Sequence, residues 1–114
     1  MTLVLKKKKI IPDIVTGGLD NVAIRIPNNK IALELLSIFG PLTCTSANVH
    51  GQKTPSVISD IIMQFKPGDI SVYIDDGKLE GTSSTIVDLT HETPKILRRG
   101  IISEKQIMEA ITNG

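Results

Sequence analysis

Between residues 21 and 39 the chain changes its hydrophobic period, and that change limits the folds open to it. Val22, Ile24 and Ile26 recur every second residue, the spacing of one face of a β-strand. Ala23 and Arg25 then fall on the opposite face, and Pro27 stops the run. Beyond it the period lengthens. Ile31, Leu35, Leu36, Ile38 and Phe39 follow helical spacing, with Asn28 or Asn29 available as N-cap and Gly40 as stop. A half-apolar strand feeding an amphipathic helix implies a sheet with helices packed on it.

The same alternation recurs along the chain. Residues 2–5 read as a strand, followed by a loop punctuated by Pro12, Gly17 and Gly18. Residues 41–45 read as a short strand entering a polar loop. A second helix carries Val57, Ile58, Ile61, Ile62 and Phe65, with Thr54 or Ser56 as cap and Pro55 in its first turn. Ile70, Val72 and Ile74 alternate as a strand, and Asp75, Asp76 and Gly77 make a turn. Strands at 84–89 and 95–98 flank a turn at 90–93. Ser103 caps a last helix to about Thr112, with Glu104 in its first turn. The expected class is α/β (α+β): an open, twisted, mixed sheet of five or six short strands with three helices largely on one side. Residues 1–114 read as a single domain, without repeat or linker.

Composition narrows the function classes. The net charge of +1 gives no global nucleic-acid footprint. Lys6, Lys7, Lys8 and Lys9 form a basic run, either a solvated turn or part of a positive surface facing phosphate. Aromatic residues are 3% of the chain, so the core must be aliphatic. The one cysteine, Cys44, permits no intrachain disulfide and suits a reducing compartment. No apolar stretch approaches the roughly 18 residues of a membrane span, and no signal peptide is visible. A cytoplasmic location is expected.

Three polar clusters remain as candidates for chemistry. Residues 43–51 hold hydroxyls, an amide and a glycine between a strand and a helix. They suit a carboxylate, phosphate or amino-acid ligand, or equally a self-bonded turn. Residues 81–85 are a second hydroxyl cluster and lack the Gly-Lys-Ser/Thr of a Walker loop. Arg98 and Arg99, beside Gly100, can fork onto an anion or remain solvated. His50 and His91 lack partners at metal spacing, so no metal site is expected. Cys44 has no activating base nearby and reads as a buried small thiol.

Taken in chain order, these runs resemble one family. Residues 2–5, the Asn-Val-Ala-Ile-Arg-Ile-Pro run at 21–27, the Thr-Ser-Ala-Asn-x-x-Gly core at 45–51 with Pro55, Ser-Thr-Ile-Val-Asp at 84–88 and Ile-Leu-Arg-Arg-Gly at 96–100 are together similar to the YrdC-like family. The resemblance spans essentially the whole chain but only the C-terminal part of the family domain. Relatives carry a long N-terminal section with a Lys-x-Arg motif that grips ATP phosphates, and nothing here matches it.

The resemblance implies a threonylcarbamoyl-AMP synthase, a nucleotidyltransferase acting in the t6A modification of tRNA, in truncated form. The alternative is a non-catalytic RNA- or nucleotide-binding module. By resemblance Arg25 and Ser46 bind threonine, while Asn21, Thr45, Ala47, Asn48, Ser84 and Arg98 bind ATP. No catalytic nucleophile is implied. Mg²⁺ accompanies ATP, L-threonine and bicarbonate are the other substrates, and tRNA or double-stranded RNA and the downstream transfer machinery are implied partners. His50 and Arg99 replace the serine and proline usual at their positions.

Overall fold

The computed structural model describes residues 1–79, 81 and 83–112. Its elements run β1 (Thr2–Lys6), α1 (Asp13–Thr16), β2 (Asn21–Arg25), α2 (Lys30–Phe39), α3 (Ile58–Gln64), β3 (Ile86–Asp88), β4 (Lys95–Arg98) and α4 (Glu104–Thr112). The four strands form one mixed sheet in the order β2-β1-β3-β4. β1 is antiparallel to β2 and parallel to β3, and β3 is antiparallel to β4. The α/β class and the open mixed sheet expected from the sequence are therefore present.

Two compact units divide the chain: Met1–Thr43 with Thr82–Gly114, and Cys44–Gly81. The sheet, α1, α2 and α4 belong to the first, and α3 to the second.

Local chemistry explains the elements that follow the sequence. The Asn29 side chain accepts the Ala32 amide at 2.9 Å and caps α2, and Gly40 closes it with φ +76°. Ser103 and Gln106 form a capping box at α4: the Ser103 amide donates to Gln106 Oε1 at 3.0 Å, and the Gln106 amide donates to Ser103 Oγ at 3.3 Å.

Other expectations are corrected. Residues 41–45 and 70–74 pair with no strand among the described residues, so neither run is a strand. Alternation alone does not make a strand, because backbone groups need a ladder partner. Neither Thr54 nor Ser56 caps α3, whose N-cap is Val57. The Thr54 hydroxyl is committed to Asn48 Oδ1 at 3.0 Å instead. Cys44 is exposed rather than buried, and its thiol donates to the Thr45 carbonyl at 3.6 Å. α1 is a fourth helix, four residues long, within the stretch expected to be loop.

The basic run is split by pairing. Lys7 bonds the Asp13 carboxylate, and its amide donates to the Asp20 carbonyl at 2.7 Å. The Lys7 bond holds the Asp13 carboxyl below its ordinary value of 3.8. Lys8 and Lys9 are exposed. No helix among the described residues is long and apolar enough to cross a membrane.

Burial is concentrated on β3, its lead-in and α4. Among the described residues Val87 and Ile107 are the buried apolar ones, joined by Ser84 and Thr85. Ile26, Ile38 and Phe39 are among the large apolar side chains left in water.

After β3 the chain reverses around Asp88. Its Oδ1 accepts the Thr90 hydroxyl at 2.7 Å and the Thr90 amide at 2.8 Å. Those bonds, hydroxyl first, hold its carboxyl below the ordinary 3.8 against partial desolvation, with His91 and Lys95 adding attraction. A carboxyl held lower in the folded state than in the unfolded one stabilises fully above the unfolded value. That contribution is lost as pH falls through the folded value. Urea midpoints should thus be flat from pH 7 to about 5 and fall below about 4. Thr90→Val should flatten the acid limb, and an unchanged limb would contradict this role for Asp88.

Candidate functional site

The first unit brings Arg25, Thr2 and Arg98 onto one row across the sheet, with the apolar Ile86 between Thr2 and Arg98. Register sets Arg25 opposite Thr2, Thr2 opposite Ile86, and Ile86 opposite Arg98. Residues directly opposed in a sheet project to the same face. Four strands at about 4.8 Å spacing put the two arginine positions roughly 14 Å apart.

A bulge creates the last step of that row. Val87 pairs with Ile96 but Ile86 pairs with Arg98, so Leu97 is the extra residue. In a regular ladder Leu97 would pair with Ile86, and Arg98 would stand opposite Thr85, on the other face. Bulges re-aim side chains in this way beside functional sites.

Ser84, two residues before Ile86, is the hub that links the Thr2 and Arg98 side chains of that row. It is 6% exposed. Arg98 donates to it twice, Nε to the Ser84 carbonyl and Nη2 to its Oγ, both at 3.0 Å. Thr2 Oγ1 lies 2.9 Å from the same Oγ. The guanidinium is thereby fixed as a fork, with the remainder of its five N–H groups without a described partner.

Two residues that the sequence placed in these clusters without a role of their own hold this hub. Thr85 is 1% exposed, and its Oγ1 donates to the Ile102 carbonyl at 2.7 Å while accepting the Gly100 and Ile102 amides, each at 3.1 Å. Gly100 packs so closely that an added Cβ would sit within 3.0 Å of the Ser83 oxygen, the Thr85 nitrogen and the Ser84 carbonyl carbon. The signal available was the consecutive Ser83, Ser84 and Thr85 at a strand entry, where alternation sends neighbouring hydroxyls to opposite faces. Thr82, in the same cluster, lies outside the described residues.

Arg25 is exposed and has no ion pair among the described residues. Asn21 shares its face of β2 but stands opposite Lys6, roughly 14 Å along the strand. The structure joins Thr2, Ser84 and Arg98, aligns Arg25 with them, and leaves Asn21 at the far end of β2.

The second unit contains the loop with Thr45, Ser46, Ala47 and Asn48. Asn48 knits it together: Nδ2 donates to the Val49 and Gln52 carbonyls, both at 2.9 Å, and Oδ1 accepts from Thr54. Gln64 of α3 anchors it further, accepting the Val49 amide at 3.1 Å and donating to the Lys53 carbonyl at 3.2 Å. Both Asn48 donors are thus spent on loop shape. The Thr45 and Ser46 hydroxyls have no hydrogen-bond partner among the described residues. Ala47 edges an apolar cleft lined by Pro55, Ile58, Ile61, Tyr73 and Ile74.

No group of three or more His, Cys, Asp or Glu able to hold a metal occurs among the described residues. The site's chemistry is that of hydroxyls, backbone amides and arginines: it can bind and orient oxyanions.

Comparison with known proteins shows which family the chain resembles along its length. The Sua5/YciO/YrdC family model, described as "Telomere recombination", matches residues 1–100. The chain is 38% identical over 113 residues to a threonylcarbamoyl-AMP synthase of Pyrococcus abyssi, covering 97% of this chain and 33% of that one. It is 40% identical over 92 residues to a putative threonylcarbamoyl-AMP synthase of Mycobacterium tuberculosis H37Rv, covering 79% and 42%. Among solved structures, P. abyssi Sua5 complexed with L-threonine superposes with a TM-score of 0.85 at 38% identity, over 96% of this chain and 33% of that one. The chain thus spans between a third and a half of the length of these curated relatives. Its matched sequence and its superposed fold agree: this chain belongs to the Sua5/YciO/YrdC family.

Proposed function

We propose that this chain contributes threonine- and adenylate-binding parts to a threonylcarbamoyl-AMP synthase. The observation that carries the reading is the row of Arg25, Thr2, Ser84 and Arg98. It sets two arginines on one sheet face, in a fold that superposes on a Sua5 bound to L-threonine.

In this reaction the threonine nitrogen and bicarbonate form a carbamate. A carbamate oxygen attacks the α-phosphate of ATP, and pyrophosphate leaves with the electron pair of the broken P–O bond. Charge accumulates only on oxygens, so positioning and electrostatics suffice and no protein nucleophile is needed. Arg25 holds the threonine carboxylate, with Ser46 a further threonine contact. Ser84 and Arg98 hold adenylate oxygens. Thr45 and Ala47 line the nucleotide side, where Asn48 shapes their loop, and Asn21 reaches ATP from the far end of β2. Mg²⁺ enters with ATP and shields its triphosphate. The product serves t6A formation on tRNA, placing the reaction in the cytoplasm beside the transfer machinery.

L-threonine titrated into the chain by calorimetry or NMR tests the reading. Arg25→Ala removes a charge-assisted contact worth about 1.5–3 kcal/mol, so binding should weaken roughly tenfold or more. Equal affinity in wild type and Arg25→Ala would remove Arg25 from the threonine site.

A further inference from the structure

The Ser84 hydroxyl has one proton and two lone pairs, and its surroundings decide whether it gives or takes a hydrogen bond. Arg98 Nη2 occupies one lone pair at 3.0 Å, because a guanidinium only donates. The contact with Thr2 Oγ1 at 2.9 Å can run either way. If Ser84 donates to Thr2, its proton is spent on that bond and one lone pair stays unfilled. If Thr2 donates to Ser84, both lone pairs are filled and the Ser84 proton is free to leave the network. Thr2 has no other described partner for its hydroxyl, so both settings are open to it.

The adjacent Arg98 charge draws an anion to this place. An oxyanion needs a donor, and it therefore selects the second setting. We propose that Thr2 is a positioning residue that presents the Ser84 hydroxyl as a hydrogen-bond donor to a bound oxyanion. The assignment rests on the reading given under Proposed function. The oxyanion is the carboxylate of the amino-acid substrate or the phosphate of the adenylate, which share this chemistry.

Backbone geometry favours a fixed rather than an incidental contact. The Thr2 amide donates to the Thr85 carbonyl at 2.8 Å, so the strand ladder itself sets the distance between the two hydroxyls. On the other side Thr85 ties the 100–102 segment to β3 through three hydrogen bonds, and Gly100 leaves that segment no slack. Ser84 is thus held from both flanks, and the orientation of its proton is the freedom that remains.

The test titrates the chain separately with L-threonine and with AMP by NMR, which reads weak binding. The variants are Thr2→Val, which keeps the shape and removes the hydroxyl, Thr2→Ser, which restores it, and each combined with Ser84→Ala. Thr2→Val should weaken one or both ligands about tenfold, and Thr2→Ser should recover that loss. In the Ser84→Ala background Thr2→Val should have no further effect, since Thr2 acts through Ser84. A loss confined to L-threonine places Ser84 against the carboxylate, and one confined to AMP places it against the phosphate. Unaltered binding of both ligands in Thr2→Val would overturn the assignment. So would an equal loss with or without Ser84, which marks a merely structural role. If the wild-type chain binds neither ligand, the reading of the site itself fails and the assignment falls with it.

Discussion

Gly100→Ala will largely unfold this chain, or at least separate Arg98 from Ser84. The added methyl would meet three backbone atoms of residues 83–85, none of which is the yielding end of a side chain. Overpacking a tight site costs typically about 1–3 kcal/mol and more where backbone must move. Here the backbone that must move carries Ser84 and Thr85, which are buried beside Val87 and Ile107. A domain of this size has about 5 kcal/mol or little more to lose. Far-UV circular dichroism and urea midpoints of the variant should show a shortened or absent cooperative transition. A midpoint equal to wild type would mean that the 98–102 segment is free to shift, and the fixed hub described above would be wrong.

Residues 1–114 assayed alone will synthesise threonylcarbamoyl-AMP several decades more slowly than a full-length relative. The sequence has no match to the Lys-x-Arg section that the family resemblance assigns to gripping the triphosphate. The chain spans only 33% of its Pyrococcus relative and 42% of its mycobacterial one. Each preorganised contact to developing charge is worth about 2–4 kcal/mol, so two of them missing amounts to roughly three to six decades in rate. Pyrophosphate release is the readout, with ATP, L-threonine, bicarbonate and Mg²⁺ present. Turnover near that of the relative would show that Arg25, Arg98 and the hydroxyl loops suffice for phosphate stabilisation.

Legibility in the sequence followed how local each signal was. β2, α2 and α4 were readable because their periods, caps and stops lie within a dozen residues, and Asn29, Gly40 and Ser103 act as expected. β4 matched its expected limits for the same reason. The runs 41–45 and 70–74 misled because alternation records which residues are apolar, not whether a neighbouring strand is there to complete a ladder. α1 was hidden between Pro12 and Gly17, where four residues carry too little period to register.

The candidate site was legible in its parts and not in its wiring. Ser84 and Arg98 were recognisable from the family pattern. That Arg98 reaches Ser84 depends on one extra residue, Leu97, and the register that creates the bulge is a property of the paired strands. Thr2 read only as a strand residue, since its partner stands 82 positions away in sequence. Thr85 and Gly100 matter through packing and backbone bonds, which leave almost no trace in residue type beyond the glycine itself. The Asn48 amide reads by type as a ligand donor, yet its donors are spent within its own loop.

The central claim is that the row from Arg25 through Thr2 and Ser84 to Arg98 is a ligand site. Titrating ¹⁵N-labelled chain with L-threonine and then AMP, and mapping the resonances that move, tests it most directly. The account predicts shifts at Arg25, Thr2, Ser84 and Arg98, including the Arg98 Nε–H group, and none around Asp88 and His91 at the opposite end of β3. Shifts confined to Asp88 and His91, or no shifts in a folded chain at millimolar ligand, would contradict it.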